Sequence, residues 1–214
     1  MRLYAALGLL FLSVAVWAQE DIFRHPLKSE TQAAFKVTTG RLAEHPLVKG
    51  NFEQEKILNR IGRSLKSGGN FIIAAKLGMV WDTVNPFPST LALGKDYLVQ
   101  SRPGGQKTVL SAQGNETFIR LADVISSVFS GNAQGLLDNF DVYFTESASG
   151  WDLGLSPLDK AISSFAQRII MSGDSVIRFI MIYEQNGDII KYTLSNHIFP
   201  AELNAHENSL FTLP

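Results

Sequence analysis

The side chains able to do acid–base or nucleophilic chemistry are few and dispersed. The chain has four histidines, His25, His45, His197 and His206, and no cysteine. No two histidines stand four residues apart, and no H-E-x-x-H pattern occurs, so no helical zinc site is specified. Each histidine is expected on the surface or in a loop. Without cysteine there is no thiol nucleophile, no thiolate ligand and no disulfide. There is no G-x-S-x-G elbow. Ser64-x-Lys66 has the residue types of a Ser–Lys dyad, but an exposed strand edge accounts for it better. The acidic residues offer no pair to act as acid and base. No glycine-rich loop joins a strand to a helix with phosphate-binding spacing. No catalytic residue, metal ligand or cofactor is therefore assigned. Nineteen Lys and Arg against 20 Asp and Glu leave a net charge of −1, which speaks against a nucleic-acid partner, since that needs a concentrated basic face.

The remaining chemistry is apolar. Met1–Ala18 reads as a cleaved secretory signal, with Arg2 as the charged start and Leu3–Val16 as the apolar run. Val16-Trp17-Ala18 places small residues at the cleavage positions. That run is shorter than the roughly 20 residues a membrane-spanning helix needs. No cysteine follows it, so the chain is not itself lipidated there. Residues 19–214 are expected to form one exported domain, not embedded in a membrane, held by burial and strand pairing alone.

Within that domain Ser29 reads as the N-cap of a helix ending near Glu44, with Thr31, Ala34, Phe35, Thr38 and Leu42 at helical spacing. His45-Pro46 ends it. Strands follow. Val48, Gly50, Phe52 and Gln54 share one parity. Ser67-Gly68-Gly69 reads as a turn. Phe71, Ile73, Met79 and Trp81 share the next parity, which is assigned to a cavity. Leu91, Leu93, Tyr97 and Val99 predict a hairpin across Gly94-Lys95-Asp96, and Thr108–Leu110 a short strand.

Asn115–Gly131 is the clearest helix, capped by Asn115 and stopped by Gly131. Phe118, Leu121, Ala122, Ile125, Val128 and Phe129 form its apolar stripe. Asn132–Asn139 predicts a short second helix carrying Leu136 and Leu137. This pair either closes the core or lids an open sheet. Strands are expected at 141–146, 150–155, 165–171, 176–184 and 189–194, with Asn186-Gly187 as a hairpin turn. The tail after Pro200 reads as polar until Leu210-Phe211. The fold class is α+β: an incomplete antiparallel β-barrel, a strongly curved sheet with helices covering its open concave side.

Gly50-x-Phe52-x-Gln54, Ser67-Gly68-Gly69-x-Phe71 and Gly78-x-x-Trp81-x-Thr83-x-x-Pro86 occur in that order behind a secretory signal and an amphipathic helix. In order and spacing the chain resembles the outer-membrane lipoprotein carrier family, LolA-like, as a divergent member. The resemblance implies a periplasmic carrier, not an enzyme. Such a carrier shields acyl chains of lipoproteins, or a related lipid, on the way from inner to outer membrane. Its implied partners are an inner-membrane ABC-type exporter and an outer-membrane acceptor, and it is expected to work as a monomer.

The lipid cavity is assigned to Phe71, Ile73, Met79, Trp81, Leu91, Leu93, Phe118, Leu121, Ile125, Val128, Phe129 and Leu136. Met79, Met171 and Met181 suit such a site if they face inward, because methionine adapts to irregular ligands. Family members often place an arginine ahead of the strand that ends in this tryptophan, where it latches the lid. Here that slot holds Ala75, beside Lys76, which leaves room for a different latch or a different lipid. The alternatives are an exported lipid or glycan hydrolase, which needs a clustered nucleophile and base, and a lipid-sensing domain of the same fold.

Overall fold

The computed structural model describes residues 21–94, 97–105, 107–111, 127–128 and 131–211. The predicted signal lies outside them. So does most of the predicted helix at 115–131, including Phe118, Leu121, Ile125 and Phe129. Among the described residues no helix is long and apolar enough to cross a membrane.

Among the described residues eleven antiparallel strands form one sheet. The strands are β1 (Leu47–Leu58), β2 (Arg63–Ala74), β3 (Gly78–Asn85), β4 (Ser89–Leu93), β5 (Tyr97–Ser101), β6 (Thr108–Ser111), β7 (Phe140–Ser147), β8 (Gly150–Pro157), β9 (Ala166–Gly173), β10 (Ile177–Glu184) and β11 (Ile189–Ile198). Their spatial order is β6-β5-β4-β3-β2-β1-β11-β10-β9-β8-β7. The first and last strands of the chain, β1 and β11, meet in the middle, and the sheet does not close. Among the described residues these α-helices accompany it: α1 (Ser29–Leu42), α2 (Ala133–Asn139), α3 (Lys160–Ser163) and α4 (Ala205–Leu210).

The sheet curls because one of its faces wraps a shared core. Phe71 on β2 and Leu153 on β8 stand five strands apart in the sheet, a separation of about 24 Å if it were flat. Yet both belong to one cluster with Phe35 and Leu42 of α1, Leu136 of α2, Phe52, Phe144 and Leu194. Phe35, at 0% exposure, stands among these side chains, and its full burial is worth about 2–3 kcal/mol. The concave face is thus the cored face, with α1 and α2 against it. The α + β incomplete barrel read from the sequence is the fold observed.

The convex face is covered at its two ends by segments that precede and follow the strands in sequence. A 3₁₀ turn at Asp21–Arg24 brings Ile22 against Ile170 and Met181, with Phe23 and Tyr143 beside them. At the other end Phe211, just past α4, packs on Leu47, Ile72, Val80, Ala92 and Val99. Strand β10 is therefore apolar on both parities for a reason. Ile180 and Ile182 pack on the concave core and Met181 on the convex cluster.

Some local expectations are corrected. Ser67-Gly68-Gly69 is not a turn: β2 runs straight through it, with a register shift between Gly68 and Gly69 against β3. A Cβ on Gly69 would run into the Asp82 carbonyl oxygen, so the glycine serves close strand approach at a bulge. The chain reverses instead at Asn59–Ile61, where Gly62 takes a left-handed φ of 61°. Ser29 is the first residue of α1 and not its cap. The flank is Lys28, whose N–H donates to the Thr31 hydroxyl at 3.1 Å; α1 ends at Leu42, near Glu44 as expected. Met181 faces the convex side, not inward. The polar tail after Pro200 carries α4, which Asn204 and Glu207 cap reciprocally.

Other signals hold. Gly187 at φ 86° turns β10 into β11. Asn132 caps α2 by accepting from the Gly135 N–H at 3.0 Å. Gly131 takes φ 66°, and Ser127 and Val128 just before it are helical and buried.

Candidate functional site on the concave face

The antiparallel register stacks the apolar residues of the motif stretch into rows. Phe71 pairs with Trp81 and Ile73 with Met79. Trp81 in turn pairs with Leu91, and Met79 with Leu93. Directly paired residues point to the same face, so β2, β3 and β4 present one apolar surface continuous with the concave core. Phe71 and Ile73 are buried in that core, together with Val128 and Leu136. Met79 and Trp81 are partly buried at its margin, Leu93 is buried and Leu91 is 36% exposed. Phe118, Leu121, Ile125 and Phe129 fall outside the described residues.

Trp81 sits at the centre of an aromatic group. Its ring stacks on Phe71 with centroids 5.8 Å apart, lies 4.6 Å from Phe52 and meets Tyr192 edge-on at 5.2 Å. Gly50 makes room for this packing. A Cβ there would lie 2.7 Å from the Phe71 ring and 2.6 Å from the Ser195 carbonyl oxygen. The G-x-F pattern therefore has a steric reason: the glycine lets Phe71 lie over β1, and Phe52, two residues on, meets Trp81. These apolar contacts leave polar groups unmatched. Trp81 Nε1 is buried and has no hydrogen-bond partner among the described residues, and the same holds for His197 Nδ1 beside Phe71.

Two titratable side chains border the group. Tyr192 is partly buried, and burial first, then the charge of Glu184, pushes its phenol up to about 12. Glu184 is held by Lys56, 2.7 Å away. His197 touches Phe71 edge-on at 5.6 Å, and its Nε2 lies 3.0 Å from the Ile177 carbonyl oxygen. Burial holds its imidazole below the usual range, against the hydrogen bond to Ile177. A crevice of about 20 Å³ between Leu42, Val48, Phe71 and His197 has room for about one water molecule.

None of these groups forms a reactive constellation. Ser64 and Lys66 are exposed on β2, opposite Ile57 and Glu55 of β1, in the part of the strand that runs past its pairing with β3, which begins at Gly68; this is the exposed strand edge expected. His45 stacks on Phe199 at 3.9 Å and lines the same crevice as His197. Among the described residues no three His, Cys, Asp or Glu side chains cluster so as to hold a metal.

The sequence reading missed a groove of about 670 Å³ on the convex face. Its floor is Ile72, Val80 and Ala92, the parity opposite to Phe71 and Trp81. Lys49, Asn70, Asp82 and α4 border it. The strand alternation implied this second face. Only the Asn204-x-x-Glu207 spacing could have announced the helix beside it.

No family model and no curated protein matches the chain in sequence. In fold the chain is similar to a LolA superfamily protein from Nitrosomonas europaea, with 9% identity, 85% of this chain and 97% of that one covered, and a TM-score of 0.47. It is similar also to an outer membrane lipoprotein-sorting protein domain from Vibrio parahaemolyticus, with 11% identity, 86% and 100% covered, and a TM-score of 0.45. A third likeness is to the MucA/MucB complex of Pseudomonas aeruginosa, with 11% identity, 83% and 60% covered, and a TM-score of 0.45. The superfamily named from the motifs recurs among these neighbours.

Proposed function

We propose that the chain is a periplasmic carrier that shields acyl chains of lipoproteins, or a related lipid, between inner and outer membrane. The observation that supports this reading is the row Phe71–Trp81–Leu91 across β2, β3 and β4. It begins in the closed core and ends at a partly exposed leucine. A hydrocarbon tail in water costs about 0.8 kcal/mol per CH₂, and a face that is apolar but incompletely covered is where a tail can be exchanged for that cost. The cargo lies along Met79, Trp81, Leu91 and Leu93, with Phe71 and Ile73 as the inner wall. The predicted stripe of Phe118, Leu121, Ile125, Val128 and Phe129, with Leu136 beyond it, supplies the cover. The carrier acts without catalysis of its own and works as a monomer. It takes cargo from an ABC-type exporter and gives it to an outer-membrane acceptor.

Organic-solvent extraction of the purified mature protein, followed by mass spectrometry, tests this. Co-purified lipid, lost in Trp81→Glu while the circular dichroism spectrum is kept, is the expected result. Absence of lipid from the native protein, together with no binding of a lipidated peptide added back, would overturn it. Ester hydrolysis abolished by Ser64→Ala would point to an enzyme instead.

A further inference from the structure

A buried N–H that finds no acceptor costs about 1–3 kcal/mol, and buried polar groups are otherwise almost always paired. Trp81 Nε1 is such a group. Its neighbours Phe52, Phe71 and Tyr192 meet it through their rings. The chain's other described tryptophan shows the ordinary arrangement. Trp151 Nε1 donates to the Asp174 carbonyl oxygen at 2.7 Å. The indole N–H at position 81 is therefore a donor kept dry inside an otherwise apolar wall.

We infer that Trp81 Nε1 donates a hydrogen bond to the carbonyl oxygen at the head of a bound acyl chain, so that the site selects acylated lipids over plain hydrocarbon. This rests on the carrier reading and adds to it the group that reads the acyl carbonyl. A tail lying against Phe71 and Leu91 contributes affinity without identity, since apolar burial is non-directional. One donor at a fixed place on that wall supplies the missing direction. An acyl ester or amide offers an acceptor within a bond or two of its first methylene. A dialkyl ether of equal length has no carbonyl and leaves the donor unpaired. Sites built around a polar contact discriminate against analogues lacking it far better than apolar pockets discriminate by size.

The experiment compares 1,2-dipalmitoylglycerol with its di-O-hexadecyl ether, each titrated in mixed micelles against the ¹⁵N-labelled mature protein. The expected result is tighter binding of the ester by about tenfold, equivalent to roughly 1.4 kcal/mol. The Trp81 indole N–H resonance should move downfield with the ester and not with the ether. The Trp151 resonance serves as the internal reference that stays. In Trp81→Phe the ester-to-ether ratio should fall to near one. Equal binding of the two lipids by the native protein, or a preference that survives in Trp81→Phe, overturns the inference while leaving the carrier reading standing. Binding of neither lipid overturns both. Should Trp81→Phe not fold, the native ester-to-ether ratio and the indole resonance decide.

Discussion

Gly50 and Phe71 face each other across β1 and β2, and the packing of the aromatic group depends on the first having no side chain. Adding a methyl group places a carbon 2.7 Å from the ring and 2.6 Å from a backbone oxygen, and the latter cannot swing away. Gly50→Ala is expected to cost about 1–3 kcal/mol, the usual penalty for overpacking, measured as a lowered urea midpoint at unchanged slope. Tyr192 gives a second residue-scale test. Its folded-state value of about 12 lies above the unfolded value of about 10. The stability it contributes is therefore complete below pH 10 and lost as the pH rises from there towards 12. Ultraviolet titration should show one tyrosine ionising last. Glu184→Gln should bring it down, but not to the ordinary value, because burial is the larger cause.

At the scale of the element, helix α4 hangs on a few side chains. Lys49 Nζ stands 2.5 Å from Glu207 Oε2 with both side chains largely covered, and the Tyr97 hydroxyl donates to the Phe211 carbonyl oxygen. Burial works to raise the Glu207 carboxyl, but hydrogen bonds from Lys49 and the Asn204 N–H, with the Lys49 charge, outweigh it and hold it below the usual range. A depressed carboxylate stabilises above its unfolded value and loses that contribution as the pH falls through the folded one. Hydrogen exchange in 205–211 should therefore quicken below the ordinary glutamate range, ahead of exchange in β1 and β2. Glu207→Gln should make that exchange fast at neutral pH and remove the acid dependence.

The legibility of the elements follows from how local their causes are. Alternation along β1 and β10, and Asn186-Gly187 between β10 and β11, encode strand and turn within a few residues, and they could be read. Ser67–Gly69 could not, because the glycines answer to β3, whose Asp82 carbonyl comes too close for any Cβ. The same two letters serve a turn and a close approach. The six residues of α4 are too short and polar to carry a periodic stripe. The concave rows could be read because parity alone assigns Phe71, Met79 and Trp81 to one face. The unpaired indole N–H could not, since a missing partner is a property of three-dimensional packing.

For the whole molecule, the two faces of the sheet have separate anchors. Ending the chain at Pro200 would remove Phe211 and α4 from the Leu47–Val80–Ala92 cluster. The loss of one buried phenylalanine and its neighbours is worth about 2–4 kcal/mol. The melting temperature of the shortened chain should fall, while dipalmitoylglycerol binding measured below the new transition should keep its affinity. A parallel loss of both would show that the two faces are coupled through the sheet.

At the outer margin of β7 the chain's early residues run alongside the strand. The Leu27 N–H donates to Val142 O at 2.8 Å, the Phe144 N–H donates to His25 O at 3.0 Å, and Pro26 bridges to Tyr143. Exposed strand margins recruit other polypeptides, so these few residues act as a selvedge that keeps the ribbon from fraying into its neighbours. Trimming the chain to begin after Lys28 should turn a well-behaved protein into one whose turbidity grows with concentration and whose fibrils stain with thioflavin.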